Sequence, residues 1–250
     1  MKPHQWRYWL NHKRPENPEQ FDQAVKVVCE LYAAAPELHQ HGVRVISTDE
    51  KSGIQVLERA QPTKPLKPGY PTYMEYEYIR HGTQVLIANW EVATGHCPAP
   101  TLSDTRTEAD FAHHIEQTLA TDPTATWIFI VDQLNTHQSE TLVRLVASHC
   151  ELDIDLGVKG KSGILQSMPS RAAFLSDETH RIRFVYTPKH TSWLNQIEIW
   201  FSILVRRVLK RGNFSTVDEL RERILAFIDY FNQTMAKPFK WTYAGRPLQA

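Results

Sequence analysis

The chain has 250 residues, with 28 basic and 28 acidic side chains giving a net charge of zero, and is 42% hydrophobic and 22% charged. That is the composition of a globular protein; no apolar run reaches the roughly 18 residues of a membrane span, and no apolar stretch behind Met1 reads as a secretory signal, so a cytoplasmic setting without membrane contact is expected. Three scattered cysteines, Cys29, Cys97 and Cys150, form no CxxC pair and argue against a disulfide framework or a zinc ribbon.

In chain order, Phe21, Ala24, Val27, Val28 and Leu31 recur at helical spacing, which predicts a helix over 16–35 that ends by Pro36. Residues 43–58 alternate, with Val43, Val45, Ser47 and Asp49 on one face and Arg44, Ile46 and Thr48 on the other, the mark of a strand. After a Pro-rich loop at 62–71, Tyr73–Arg80 and Thr83–Thr94 read as two strands of a hairpin turning at His81-Gly82. A helix is predicted over 106–120. Trp127–Val131 is a continuous apolar run, as in a strand buried on both faces, and Asp132 ends it. A helix from about Ser139 to Cys150, a Gly-containing segment 153–180, a strand Arg181–Tyr186 and helices over about 193–210 and 217–233 complete the chain. Strands first, then alternating helices and strands, predict an α/β fold with a mixed sheet flanked by helices.

Three acids stand out. Asp49 continues the face of Val43, Val45 and Ser47, where a carboxylate needs a partner: a metal ion, a salt bridge with Lys51 or a turn at Asp49-Glu50. Asp132 lies at the C-terminal end of a central strand, the place where open α/β sheets bind ligands, although a turn role in Asp-Gln-Leu-Asn is the plainer reading. In a helix over 193–210, Leu194, Ile197, Phe201, Leu204 and Val208 form an apolar stripe, and Asn195, Glu198, Ser202 and Arg206 a polar one beside it. Taken by itself, Glu198 is a surface acid paired with Arg206 or Lys189; Ser192 is the candidate N-cap. Together, three carboxylates on two strand ends and a helix suit a two-metal phosphoryl-transfer site, because hard oxygen ligands favour Mg²⁺ or Mn²⁺ and the attacking group is water or a 3′-hydroxyl. From Arg181 to Phe214 the basic residues include Lys189, Arg206, Arg207, Lys210 and Arg211 against the single acid Glu198, a cluster able to track phosphates or simply to face solvent.

The segments Ser47-Thr-Asp-Glu-Lys-Ser-Gly-Ile-Gln55, Val131-Asp-Gln-Leu-Asn-Thr-His-Gln-Ser139 and Thr187-Pro-Lys-His-Thr-Ser-Trp-Leu-Asn-Gln-Ile-Glu-Ile-Trp-Phe-Ser202 resemble the three acidic motifs of insertion-sequence transposases of the IS630/Tc1/mariner superfamily. The resemblance extends to Tyr76–Thr83, Val92-Ala-Thr-Gly95 and Lys237–Pro247. It implies an RNase H-like fold, a DDE triad of Asp49, Asp132 and Glu198 holding Mg²⁺ or Mn²⁺ as two ions, cleavage and strand transfer of transposon ends, and insertion at TA dinucleotides. DNA, both transposon end and target, is the implied partner, in a synaptic homodimer within a bacterial cytoplasm. His137 and Asn135 are implied at the site edge; Lys189, His190, Trp193, Asn195, Arg206, Arg207, Lys210 and Arg211 are expected on DNA.

Two features depart from the family pattern. Sixty-five residues separate Asp132 from Glu198, more than is usual, and the excess at about 152–180 is expected to loop out without moving Glu198. At the front, 1–42 reads as a linker and helix following a missing helix-turn-helix region, whose tail Met1–Leu10 resembles and whose partner polypeptide frameshifting would supply; 43–235 is the catalytic domain and 236–250 a C-terminal tail. Rival readings are an RNase H-like nuclease without strand transfer and an inactive DNA-binding or dimerising remnant. Gly160-Lys161-Ser162 lacks the rest of a phosphate-binding loop, and the twelve histidines show no zinc-ligand spacing. Trp90, Trp127 and Trp200 are expected in the core.

Overall fold

The computed structural model describes residues 17–243; Met1–Leu10, read above as the tail of a DNA-binding region, lies outside them. Helix α1 (Pro18–Gln40) starts at Asn17, whose side chain accepts from the Gln20 amide at 3.1 Å, with Pro18 in the first position where its missing N–H costs nothing. It does not end at Pro36 as expected. The helix runs on because Ala35 is buried and Leu38 packs on the core, and this packing outweighs the one helical hydrogen bond that proline forfeits. The buried stripe is Val25, Val28, Cys29, Tyr32 and Ala35, shifted from the predicted Ala24, Val27 and Leu31.

Strand β1 (Val43–Arg59) pairs antiparallel with β2 (Tyr78–Glu91), which pairs with the short β3 (Thr101–Ser103). The predicted hairpin at His81-Gly82 does not form: both residues lie inside β2, and the turn is the loop 60–77 between β1 and β2. Helix α2 (Glu108–Ala120), opened by a capping box between Thr107 and Asp110, leads into β4 (Thr126–Val131). After a 3₁₀ turn at Asn135–Gln138 come α3 (Glu140–His149), α4 (Met168–Leu175) and β5 (Ile182–Tyr186). A 3₁₀ turn at Ser192–Leu194, α5 (Ile197–Leu204), a π-turn at Val205–Leu209 and α6 (Val217–Thr234) follow.

The sheet order is β3-β2-β1-β4-β5, with β1, β4 and β5 parallel and β2 running antiparallel to both its neighbours, β1 and β3. Helices cover both faces, as the α/β reading required. Val45, Ile128 and Ile130 pack beneath α1, α5 and α6; Ile46, Phe129 and Phe184 pack beneath α2, α3 and α4. Along β1 the two faces exchange parity at a bulge between Lys51 and Ile54, so Ile54 and Val56 join the core that Val45 faces. Gly53, at φ +68°, supplies the left-handed residue such a bulge uses. Trp90, Trp127 and Trp200 are buried, as expected.

Residues 152–180 do not loop out of the fold. Leu165 and Leu175 are fully buried in the second core and Phe174 nearly so, because α4 lays its apolar side across α3 and β5. The tail folds back as well: Phe239 stacks on Trp90 at 4.1 Å, and Trp241 meets Tyr32 edge-on at 4.9 Å. Gly95 faces Lys237 so closely that a Cβ there would sit 2.2 Å from its carbonyl oxygen, so two of the family-like segments meet at a glycine.

Candidate metal and DNA site

The register of β1 and β4 brings the first two acids together. Val43 pairs with Thr126 and Ser47 with Ile130; the same register carried two residues further sets Asp49 beside Asp132, on adjacent strands about 4.8 Å apart. Electrostatics agree with the geometry. Burial first, and then the negative charge of Asp132, push Asp49 up to about 7, against the Glu50 amide that donates to Asp49 Oδ1 at 2.7 Å.

Asp132 behaves in the opposite way. Burial favours its protonated form, yet the hydrogen bond and charge of His137 hold its pKa below the ordinary value, helped by the Leu134 amide at 2.9 Å from Oδ1. The turn reading of Asp132 is thus also true, and does not exclude the other. His137 is the centre of this arrangement: fully buried, it lies with Nδ1 2.8 Å from Asp132 Oδ1 and Nε2 3.2 Å from Glu50 Oε2. Burial alone would strip its proton, but the two carboxylates outweigh that and lift its pKa to about 10, so it is an imidazolium at neutral pH. The approach of Nε2 to Glu50 is close enough for an ion pair but off the line of a hydrogen bond, which leaves Nε2 and Glu50 Oε1 without aligned partners. Sequence reasoning missed Glu50. The signal was present, since period two puts Glu50 in phase with Ile46 and Thr48, and a carboxylate there needs a buried cation.

The third acid is held by a different device. The helix expected from about 193 begins only at Ile197, with no side-chain cap from Ser192, and the segment before it is pinned from three sides. Tyr32 donates its hydroxyl to Leu194 O at 2.8 Å, Trp90 Nε1 donates to Gln196 Oε1 at 3.1 Å, and the Ile197 amide donates to Ser47 Oγ at 2.9 Å. Asn195, expected on DNA, is instead buried: it accepts from the Ser47 hydroxyl and donates to Thr48 O at 3.1 Å and Asp49 Oδ2 at 3.3 Å. Its role is to orient Asp49. Glu198 follows in the first turn of α5, partly exposed, and pairs with neither Arg206 nor Lys189. The structure brings Asp49 and Asp132 together; no group of three His, Cys, Asp or Glu side chains poised around one point occurs among the described residues, so Glu198 is not drawn into a cluster with them. Lys51 does not neutralise Asp49; its ammonium lies over the Phe201 ring at 5.9 Å.

Beside the second acid, a cleft of about 260 Å³ is lined by Asp132, Gln133, Thr187, Lys189, His190 and Ser192, so Lys189 and His190 border the same opening as Asp132. His190 adopts φ +64°, a left-handed bend that turns the chain out of β5. Asn135 is exposed at the start of the 3₁₀ turn, and Trp193 is half-exposed with its ring edge-on to Tyr243 at 5.2 Å. Arg206, Arg207, Lys210 and Arg211 are exposed at the far end of α5.

The model of the DDE superfamily endonuclease family matches residues 44–221, a span that contains all three acids. The chain belongs to the DDE superfamily of endonucleases. Among solved structures, this DDE chain is similar to the Mos1 mariner paired-end complex with Mn (14% identity, TM-score 0.54), covering 92% of its own length and 60% of the Mos1 chain. It is similar also to a pre-cleavage Mos1 transpososome (12% identity, TM-score 0.52, 91% and 60% covered). The Mos1 catalytic domain alone matches with 10% identity and a TM-score of 0.50 over 88% of this chain and 85% of that one. At such identities the likeness is one of fold, and it bears out the RNase H-like mixed sheet expected from the sequence. The chain spans about 60% of the length of the Mos1 chains in those complexes. No curated protein matches it. Among the described residues, no helix is long and apolar enough to cross a membrane.

Proposed function

We propose that this DDE chain is the catalytic part of a DNA transposase of the IS630/Tc1/mariner kind, which cuts a phosphodiester at a transposon end and joins the freed 3′-hydroxyl to target DNA. The observation that carries the reading is the pair Asp49 and Asp132, side by side in the strand register, with the charge of one raising the pKa of the other. Two adjacent, partly buried carboxylates favour a cation between them, and their oxygens fit Mg²⁺ or Mn²⁺. Asp49 and Asp132 would hold it, with Glu198 as the third ligand and two ions in the working site. When bound, such ions polarise the scissile phosphate and activate the attacking hydroxyl.

The chain's own residues prepare that chemistry. His137, a buried cation, keeps Asp132 ionised at neutral pH, and Asn195 fixes the orientation of Asp49 through its amide. Lys189 and His190 border the cleft where a phosphate would enter, and Arg206, Arg207, Lys210 and Arg211 meet backbone phosphates by charge, indifferent to base sequence. Two Mos1 structures described as a paired-end complex and a transpososome support DNA ends as the partner, and a synaptic homodimer follows from the motif resemblance. Insertion at TA sites and a bacterial cytoplasmic setting follow from the motif resemblance.

The test is Asp132→Asn with an end-cleavage assay and a pre-cut-end joining assay in Mg²⁺. The variant is expected to lose both activities by at least about a thousandfold while keeping the wild-type circular dichroism spectrum. Cleavage retained in the variant would refute the assignment; wild-type protein that cuts but never joins a pre-cut end would make the chain a nuclease.

A further inference from the structure

The basic residues beyond α5 border two hollows, not one. Arg206 and Lys210 continue the row of Glu198 and Ser202: Ser202 Oγ donates to Glu198 O at 3.1 Å and Arg206 Nε to Ser202 O at 3.1 Å. They line a hollow of about 560 Å³. The π-turn, marked by the Lys210 amide donating to Val205 O at 2.8 Å, widens the helix here. Arg207 and Arg211 form the shared wall, and on the far side they meet Arg223 of α6 around a second hollow of about 530 Å³.

No acid lines that second hollow, and none of its three arginines forms an ion pair with a described acid. Glu219, the carboxylate whose pKa Arg223 helps to lower, is engaged first by Ser215, accepting from its amide at 2.8 Å and its hydroxyl at 2.9 Å. Three guanidinium groups facing one space repel each other, and a phosphate is the anion whose geometry their planar forks match. Beside them stand Asn213, able to donate or accept, and the rings of Phe227 and Tyr230, the latter 56% exposed. The volume suits a ligand-sized unit, and an aromatic face next to a phosphate clamp is what a single unpaired nucleotide requires.

We propose that Arg207, Arg211, Arg223 and Tyr230 form a second nucleic-acid site, which takes one phosphodiester of an unpaired DNA strand with its base laid on Tyr230, separate from the backbone contact of Arg206 and Lys210. The proposal rests on the reading that the chain acts on DNA. Arg207 lies nine positions after Glu198, about 14 Å further along the helix axis, so the held phosphate is not the reacting one. A strand-joining enzyme that handles a cut end and a target has use for a place to keep the displaced strand.

The experiment is fluorescence anisotropy of the full chain with a 12-nucleotide oligo-dT, an abasic oligomer of equal length and a duplex, in EDTA so that nothing is cut. Arg223→Ala is expected to weaken oligo-dT about five- to twentyfold and to lower the slope of log affinity against log salt by about 0.7, the value for one phosphate contact on a single strand. Arg223→Lys should restore part of the affinity, which a folding defect would not allow. Tyr230→Ala is expected to cost oligo-dT at least about fivefold and the abasic oligomer nothing. Wild-type binding by both alanine variants at every salt concentration overturns the proposal, and so does displacement of oligo-dT by micromolar dTMP, which would assign the site to a free nucleotide. Loss of the transposase reading shows separately, as absent Mg²⁺-dependent cleavage in the wild-type chain.

Discussion

Asp49, part-way along β1, and Asp132, just past the end of β4, carry the same functional group, and the fold treats them in opposite ways. At the end of β4, Asp132 has a cation supplied by the fold: His137 lies 2.8 Å away, and the 3₁₀ turn that carries it is fastened by Tyr186, whose hydroxyl donates to His137 O at 2.9 Å, and by Arg171, whose Nε donates to Gln138 O at 2.6 Å. Within β1, Asp49 accepts hydrogen bonds from Asn195 and the Glu50 amide, the charge of His137 is the least of the influences on it, and its pKa rises to about 7. One carboxylate is satisfied from within and the other is left waiting for a charge from outside. A site built this way would stay folded without a metal and could still bind one, because only half of the repulsion is relieved internally.

The largest test of this asymmetry exchanges each acid for its amide. Asp132→Asn and Asp49→Asn should both abolish cleavage, yet their effects on the metal-free protein should have opposite signs at pH 8. Asp132→Asn leaves the His137 imidazolium and Glu50 without their third partner, and should destabilise by about 1–2 kcal/mol, the lower range for a broken ion pair because Asp132 is 44% exposed. Asp49→Asn removes a carboxylate that burial and Asp132 disfavour, and should raise the melting temperature. Equal shifts of the same sign in thermal denaturation would end the comparison.

Next in size, His137→Gln takes away the internal cation while keeping a donor. Divalent-ion affinity or cleavage is expected to fall about ten- to a hundredfold, as for other groups that orient a metal ligand. Isothermal titration with Mn²⁺ measures it. An unchanged affinity would mean that Asp132 needs no help from within. Glu50→Gln should have a smaller effect in the same direction, since Glu50 touches His137 and not Asp132.

Much of this was readable beforehand. The alternation of 43–49 and the apolar run 127–131 gave β1 and β4, with one acid in phase with the alternation of the first and another directly after the run of the second. What escaped depended on tertiary packing. Asn195 was misplaced because helical phase was assumed from 193, whereas Tyr32, Trp90 and Ser47 hold 194–197 outside the helix. Proline marks a helix end by local chemistry, and α1 passes through Pro36 only because a sheet lies beneath it. The hairpin at His81-Gly82 was inferred from turn propensity, which fails where a long partner strand pairs both sides: Arg80 faces Leu57 and Thr83 faces Gln55. The segment 152–180 was read as excess over the family spacing, yet Leu165 and Leu175 are core and Arg171 reaches the turn beneath the second acid.

The finest distinction between the two ends lies in pH. Asp49 is ordinarily ionised above about 4, and its folded value of about 7 means that the metal-free fold loses stability as pH rises from about 4 to 7, the reverse of an acid held by a cation. His137, raised to about 10, contributes stability that is complete below about 6.5 and is lost only as pH climbs through 10, so it does not change over the same interval. A divalent ion competes with the proton on Asp49 and with none on Asp132. Mn²⁺ affinity should therefore climb by up to about tenfold per pH unit below 7 and level off above it, with one proton released per binding event at pH 6. Calorimetry in two buffers of different ionisation enthalpy counts that proton. In Asp49→Asn the climb should vanish with whatever weaker binding remains; a slope of two protons would mean that Asp132 is protonated as well, and that His137 does not hold it ionised.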